Sequence, residues 1–561
     1  MTRRIAIVGA GQSGAQLALG LVAHDYRVTL VNDRSPEQVR TGPVTSSQCM
    51  FASALHTERE LGLDEWERSC PQIRTVSYHG ESTFRAPLDL PAQSVDQRIK
   101  AAAWMERFAA LGGELRIQEC TAADVHEFAR THDLVVVSSG KGELGGMFAP
   151  DPARSPFAGP QRALALTYLT GAEPGAELAY HIAEGIGEVF TMPALTASGC
   201  CDILVLEGLP GGPLDHWADV RTPDEHLRRT FELLRAHFPA LHERFAGTGL
   251  TDESGVLRGR LTPRVRKPVA NEAAGRPVLG MADAIVLNDP ITGQGSNNAA
   301  QAAAFYLENI LRRGADPFDA DWMRHTFERY WRGWAQWAVA WTNAMLRPAP
   351  PQVRELFTEA ANTPQLARAL VNGFDDPRSL QPWWFDAEEA RRFIASARAE
   401  RLDQRDYRTA LGQYATGVAV VTTTAPDGRR LGVTANSFTS VSVDPPLVSW
   451  CAAERAPSLP GFTEASHFAV NVLAAHQHDL SRQFATRAQD KFADVELEEG
   501  IAGVPLLAGV VARFECRAVR RVPAGDHVIF LGEVERYTAP GGQPLVFHSG
   551  AYHVPTRHPD C

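Results

Sequence analysis

Residues 4–33, RIAIVGAGQSGAQLALGLVAHDYRVTLVND, decide the fold of the first part of the chain. RIAIV is a short run of buried-strand type, the stretch from Gly14 to His24 has helical spacing, and RVTLV is a second strand, so the opening reads as a βαβ unit. Gly9, Gly11 and Gly14 lie between the first strand and the helix. Missing side chains there let the backbone approach a pyrophosphate held on the helix N-terminus. The place of this motif inside a βαβ unit predicts a dinucleotide site. An acid about 20 residues further on should bond the ribose hydroxyls. The register puts Asn32 there, with Asp33 and Arg34 next.

Far downstream, residues 280–303 read GMADAIVLNDPITGQGSNNAAQAA. Asp283 in a strand-to-loop turn would supply a carboxylate for ribityl hydroxyls. Pro290, Gly293, Gln294 and Gly295, opening an Ala-rich helix, would give a second backbone approach beside a flavin ring. Two separated glycine sites suit FAD, whose ends lie far apart. A nicotinamide dehydrogenase would leave GQGSNN unexplained.

With the intervening VDQR (95–98, carrying Gln97 and Arg98), this pair resembles the flavoprotein monooxygenases of the p-hydroxybenzoate hydroxylase group. The closer resemblance is to the oxygenase component of styrene/indole monooxygenases. It is carried by LNDPITGQGSNNA, by RSPFAGPQRALAL (154–166), by MPALTASGC followed by LVLEGLPGG (204–212), and by TSSQCMFASAL (45–55). It covers nearly all of residues 1 to about 395 and implies a Rossmann-like FAD-binding domain with an interleaved β-sheet substrate domain. The chain departs from the pattern in three places. Ala282 stands where the family has Gly before its flavin-binding Asp, DLVVVSSGKG lacks the Asp of the usual DG pair, and Ser46, Ser47 and Gln48 occupy the loop where members with a separate reductase carry Asn. The resemblance places those three residues in the oxygenating loop.

The texture changes near residue 400, between about 396 and 406, from a charged helical stretch to alternating β-formers and turns. TANSFTSVSVDPPLVSW offers Thr434, Asn436, Ser437, Ser440 and Ser442 at close spacing, suited to phosphate and isoalloxazine edges. This part is similar to the short-chain flavin reductases, through RDYRTALGQYATGVAVVT, FAVNVLAAHQHDLSRQFA, Lys491-Phe492, GVPLLAGVVARFECRA and GDHVIFLGEV. That resemblance implies a split β-barrel, usually dimeric, that reduces flavin with NADH. It places Gly525, Asp526 and His527 near the nicotinamide, with His527 in a catalytic position. Tyr552 and His553 either close the same site or pack the terminus.

The expected organisation is therefore an α/β monooxygenase at 1–398, a linker at 399–405 and a β reductase at 406–561. Reduced FAD made by the second part would let the first use O₂ to epoxidise styrene, indole or a related vinyl aromatic. The alternative is a reductase that chiefly supplies reduced FAD to a separate oxygenase. The expected assembly is a homodimer through the reductase domain.

Composition sets the outer bounds. At 561 residues, with 44% hydrophobic and 22% charged, the chain is of ordinary globular type. A net charge of −11 and only four Lys argue against binding nucleic acid or an anionic membrane. Eight Cys without a CxxC pair suggest neither a disulfide framework nor a metal site, and the expected compartment is the cytoplasm. Phe327, Trp331, Trp334, Ala338, Trp341 and Met345 share a helical face, which reads first as core packing and second as a cofactor wall.

Overall fold

The structure is a computed structural model. It describes residues 3–172, 175–399, 404–486 and 490–557 and divides into two compact units, Met1–Arg401 and Leu402–Cys561. Of the linker expected at 399–405, residues 400–403 lie outside the described residues, and Gln404 and Arg405 belong to the helix Gln404–Leu411.

The opening of the chain builds the middle of a six-stranded sheet. Its order is Glu114–Ile117, Arg27–Asn32, Arg4–Val8, Leu134–Val137, Val278–Gly280, Val269–Ala270, and the first five strands are parallel. LVVV at 134–137 is buried at every position, as expected of a parallel strand covered on both faces. From Arg4–Val8 the chain goes first to one neighbour, Arg27–Asn32, and later to the other, Leu134–Val137. Strand order therefore reverses beside Val8, the place where open α/β sheets leave a crevice at the strand C-termini.

A second, larger sheet contains Gly249–Leu250, Ala163–Thr170, Gly199–Gly208, Gly187–Thr196, Glu177–Ala183, Gln72–His79 and Thr83–Gln93 in that order. Val256–Gly259 also pairs with Ala163–Thr170. Side chains alternate faces along a strand. Leu204 and Leu206 pack with Leu234, Phe238 and Leu241, whereas Ile203 and Val205 pack with Tyr180, Met192, Leu366 and Trp384. The aromatic stripe is core. Phe327, Trp334, Ala338 and Trp341 are buried along a continuous helical path from Ala320 to Met345. A π-helical segment, Trp331–Ala335, turns the stripe from one core cluster into the other.

In the second unit an antiparallel sheet runs Arg430–Ala435, Ala419–Thr424, His467–Val472, Ala512–Ala524, His527–Thr538, Pro446–Ala453, Thr439–Val443. Its two edge strands are consecutive in sequence, joined only by residues 436–438. A link of that length spans at most roughly 15 Å. The sheet must curl until its edges meet, which makes a barrel with a seam at Asn436–Phe438. Trp450 and Phe530 stack at 4.7 Å inside it, with Phe462 against both rings.

Candidate functional site

In the first unit, the glycine turn and the Asp283 loop lie just past the C-terminal ends of the parallel strands. Gly9 follows Val8, Asp33 follows Asn32, Ser138 follows Val137, and Asp283 lies three residues past Gly280. Gly9 has φ 108°, and a Cβ on it would stand 2.7 Å from Ser138 Oγ. A Cβ on Gly14 would collide with the Gly9 carbonyl, so the helix seats against the turn only because both residues are glycine. Asn32 braces this turn: its Oδ1 accepts the Ala10 N–H at 3.3 Å and its Nδ2 donates to the Arg34 carbonyl at 2.7 Å. Asp33 is exposed beside it.

Two of the described α-helices open at a glycine; others, such as Ala52–Glu60 and Pro351–Ala360, also lack a side-chain cap but begin at a residue with a side chain. Ser35, Asp96, Thr121, Thr222 and Asp319 each cap their own helix with a side-chain oxygen. The helices Gln12–Val22 and Gln294–Arg313 open instead at Gly11 and Gly293, with no side-chain cap and no acid in the first turn. Their first backbone N–H groups are left for an anion. Gly293 has φ 64°, and a Cβ on Gly295 would meet nothing within 4 Å, so this N-terminus is also open to a flat ligand.

Residues 45–51 join the two N-termini. Thr45 and Ser46 hydroxyls donate to Gln97 Oε1 at 3.2 and 2.9 Å, and Gln97 Nε2 lies 3.3 Å from where a Gly11 Cβ would be. At the other end, Asn297 Oδ1 accepts the Phe51 N–H at 2.8 Å, while its Nδ2 donates to the Cys49 and Gly293 carbonyls. Ser47 is half-buried, and Gln48 is buried, its Oε1 without a partner among the described residues. Ser46, Gln97 and Gly11 are thus brought together. Arg98 is not free to join them: its guanidinium is held by Asp96 at 2.7 Å and by both oxygens of Asp252 at 2.8 and 2.9 Å.

Asp283 borders the turn through the neighbouring loop. A Cβ on Gly140 would strike the Asp283 carbonyl. Asp283 is exposed but closely surrounded by protein, and desolvation by that protein pushes its carboxyl up to about 6, against the pull of Lys141 and Arg266. Ala282, before it, has φ 49°, a left-handed conformation that glycine adopts without strain. Gln294 is buried and donates to the Phe374 carbonyl at 2.8 Å.

In the second unit, the candidates spread along the barrel seam. Thr434 Oγ1 donates to the Ser481 carbonyl at 2.6 Å, and Ser437 Oγ accepts the Cys451 N–H at 2.9 Å. Asn436 and Ser440 are exposed, and Ser442 pairs opposite Leu447 across a bulge at Val441. Gly525, with φ 67°, and Asp526 form the two-residue turn before His527, whose Nδ1 lies 2.8 Å from Asp526 Oδ1. The His527 bond and charge hold the Asp526 carboxyl below its usual range. Cys451 pairs with Ile529, so Ser437 lies two residues from His527 along the sheet, whereas Ser442 is several residues further away. Tyr552 faces a different element, its hydroxyl 2.9 Å from Ser481 Oγ.

Residues 140–244 match the model of the styrene monooxygenase A substrate binding domain, and residues 411–556 match the flavin reductase like domain. Residues 4–43 match a third model, NADP oxidoreductase coenzyme F420-dependent. Styrene monooxygenase StyA of Pseudomonas fluorescens is 30% identical over 392 residues, which cover 67% of this chain and 94% of that protein. The chain belongs to the styrene monooxygenase family. Its C-terminal part is 49% identical over 150 residues to the FMN reductase (NADH) SmoA of Agrobacterium fabrum, covering 27% of this chain and 85% of that protein. A solved styrene monooxygenase flavin reductase from Pseudomonas putida is 33% identical over 27% of this chain and 99% of its own, with a TM-score of 0.26. A flavoprotein monooxygenase and a flavin reductase share this one chain.

This styrene monooxygenase relative also uses residues that spacing did not single out. Lys100 Nζ donates to Glu58 Oε1 at 2.6 Å in a buried pair, and Gln12, inside the glycine motif, donates to the same carboxylate at 2.8 Å. The pair ties the helices carrying Gln97 and Glu58 to the glycine turn. Its only trace in the sequence is the rarity of Lys. Gly140 was visible as a glycine after a strand, and Asn297 as part of GSNN.

Two outcomes are expected. Glu58→Ala leaves the Lys100 charge buried without its acid and should cost about 3–5 kcal/mol of first-unit stability, with Glu58→Gln costing less, read from denaturant unfolding by tryptophan fluorescence. Gly140→Ala should displace the Asp283 loop and weaken flavin binding roughly tenfold or more, read by flavin titration, because the added methyl meets backbone and not a movable side chain.

Proposed function

We propose that the first unit is a Rossmann-like FAD-binding domain of the p-hydroxybenzoate hydroxylase type, with the larger sheet as its substrate side, and that the second is a split-barrel NADH:flavin reductase. The observation that carries this is the pair of uncapped, glycine-opened helix N-termini joined by residues 45–51. The residues present fit a dinucleotide with an aromatic ring: one N-terminus for a diphosphate, a second beside an open glycine for the ring. Gly9, Gly11 and Gly14 would hold the pyrophosphate, Asn32 and Asp33 the adenosine ribose, Asp283 the ribityl chain, and Pro290, Gly293, Gln294 and Gly295 the ring. Arg98 supports Gln97 from behind through Asp96 and Asp252.

When bound, flavin accepts hydride from NADH in the second unit and, reduced, activates O₂ for oxygen transfer in the first. Ser46, Ser47 and Gln48 would border the substrate, with Ser46 fixed by Gln97. Behind the 290–293 turn, Phe51, Tyr180, Trp341 and Phe374 form a buried ring cluster that keeps water from this side. Styrene, indole or another vinyl aromatic is the substrate class we infer, since an electron-rich alkene needs orientation and a dry wall and no general base. In the second unit, Thr434, Asn436, Ser437, Ser440 and Ser442 would line the flavin along the seam, and His527, oriented by Asp526, would meet the nicotinamide.

Exposed Val441 and Val443 on the edge strand favour pairing with a second copy through this unit. Among the described residues no helix is long and apolar enough to cross a membrane. A cytoplasmic setting would supply NADH and keep the free cysteines reduced.

The purified chain with NADH, FAD, O₂ and styrene or indole should yield epoxide or blue pigment. NADH oxidation without oxygenated product would favour the alternative, a reductase serving a separate oxygenase. His527→Ala should lower NADH oxidation roughly tenfold or more, whereas Gly11→Leu should abolish oxygenation and spare NADH oxidation. Cutting the chain between 396 and 406 removes an effective concentration on the order of millimolar and should raise the hydrogen peroxide formed per NADH. Unchanged coupling at low protein concentration would sink the tethering idea.

A further inference from the structure

Three of the segments that carry the family resemblance, RSPFAGPQR, LVLEGLPGG and LNDPITGQG, meet in a buried cluster with no role in the reading above. Arg162 donates to both oxygens of Glu188 at 2.8 and 2.9 Å. Glu188 stands directly opposite Glu207 on the neighbouring strand, and the Asp289 carboxyl lies against the Glu207 carboxyl. All four side chains are buried, Glu207 and Asp289 almost completely. One cation therefore faces three acids, and its fork is already committed to Glu188.

The partners of the remaining two acids are unusual. Neither oxygen of Glu207, nor Oδ2 of Asp289, has a donor from any other group among the described residues. Two carboxylates are acceptors only, so they can bond each other only if one carries a proton. The other Asp289 oxygen, Oδ1, accepts the Ile291 N–H at 3.2 Å and so caps the Pro290–Thr292 turn that opens at Gly293 into the long helix. Tyr180 adds a bond from its hydroxyl to the Ile291 carbonyl at 3.3 Å.

We propose that Glu207 remains protonated in the folded protein at neutral pH, donates that proton to Asp289, and thereby acts as a positioning residue for the 290–293 turn, setting the first unit's affinity for flavin. The proposal rests on the reading that this turn faces the flavin ring. Burial, with Asp289 and Glu188 adding to it, drives the Glu207 carboxyl upward, in the direction the geometry requires. Every charged or titratable group facing the pair counts in the balance: Arg162 opposes this rise, Glu188 reinforces it, and Tyr180 stays neutral, its hydroxyl pushed far up by burial and the nearby acids. As pH rises through the pair's titration, two like charges share a dry site and the turn loses its anchor. Flavin affinity then falls.

The test uses the full chain. The infrared difference between wild type and Glu207→Gln at pH 7 should contain a protonated-carboxyl band that shifts in heavy water; its absence overturns the proposal. Glu207→Gln keeps a donor for Asp289 at every pH, so it should bind FAD at the first-unit site within about twofold of wild type and without the alkaline fall, whereas Glu207→Leu should bind roughly tenfold more weakly. The first-unit site is identified as the one lost in Gly295→Trp. Equal affinities in wild type, Glu207→Gln and Glu207→Leu, with the band present, overturn the positioning role. If Gly295→Trp removes no binding site, the flavin reading of the turn fails, and the infrared band still decides whether Glu207 holds the proton.

Discussion

The contact on which the first unit depends is the approach of Gly14 to the Gly9 carbonyl, too close for any side chain. It seats the first helix against the end of the central strand and points uncapped N–H groups out of the sheet's C-terminal edge. Everything else at that edge is fitted to it. Ser138 fills the space beside Gly9, Asn32 holds Ala10, and the Lys100–Glu58 pair locks Gln12 from below. A buried ion pair is costly to assemble. Here it fixes the relation between three helices, which a hydrophobic contact of equal size would define less sharply.

Much of this geometry was legible because it is local. A strand, three glycines and a helix occupy fewer than thirty residues, and period and spacing identify them without tertiary knowledge. GQGSNN, likewise, shows its open glycine and its helix in one stretch. The part that was not legible comes from long-range contacts. Arg98 follows a motif Gln and reads as a cofactor ligand, but Asp252 engages its guanidinium from more than 150 residues away. Asn32 reads as a weak substitute for a ribose-binding acid, yet its first task is to brace the turn, which an ionised carboxylate, with no N–H to give the Arg34 carbonyl, would do less well. Ala282 was visible as a departure, and the structure gives its cost: a non-glycine residue held at positive φ beside Asp283.

The second unit follows a different logic. Among the described residues no α-helix there opens at a glycine; the candidates are hydroxyls and an amide at the seam where a curled sheet brings its two edges together. Sequence showed the cluster of Thr, Ser and Asn but not that Thr434 and Ser437 are partly spent on backbone groups while Asn436 and Ser440 face solvent. Strand alternation sets which hydroxyl points where, and the bulge at Val441 changes that alternation midway.

In the proposed function, a flavin reduced in one unit and used in the other asks opposite things of its two seats. The seat that releases it is best built from exposed side chains, because each desolvated contact would slow departure. That is the character of Asn436, Ser440 and His527, the residues proposed for the reductase site. The seat that keeps it is best built from backbone donors and buried supports, whose positions are fixed before anything binds, so that little ordering is left to oppose binding. That is the character of Gly9, Gly11, Gly293 and the Asn297 bridge, proposed for the retaining site. On this argument the buried acid pair behind the 290–293 turn belongs with the proposed retaining seat: its proton lies between two buried carboxyls, and its work is to keep one short turn in place.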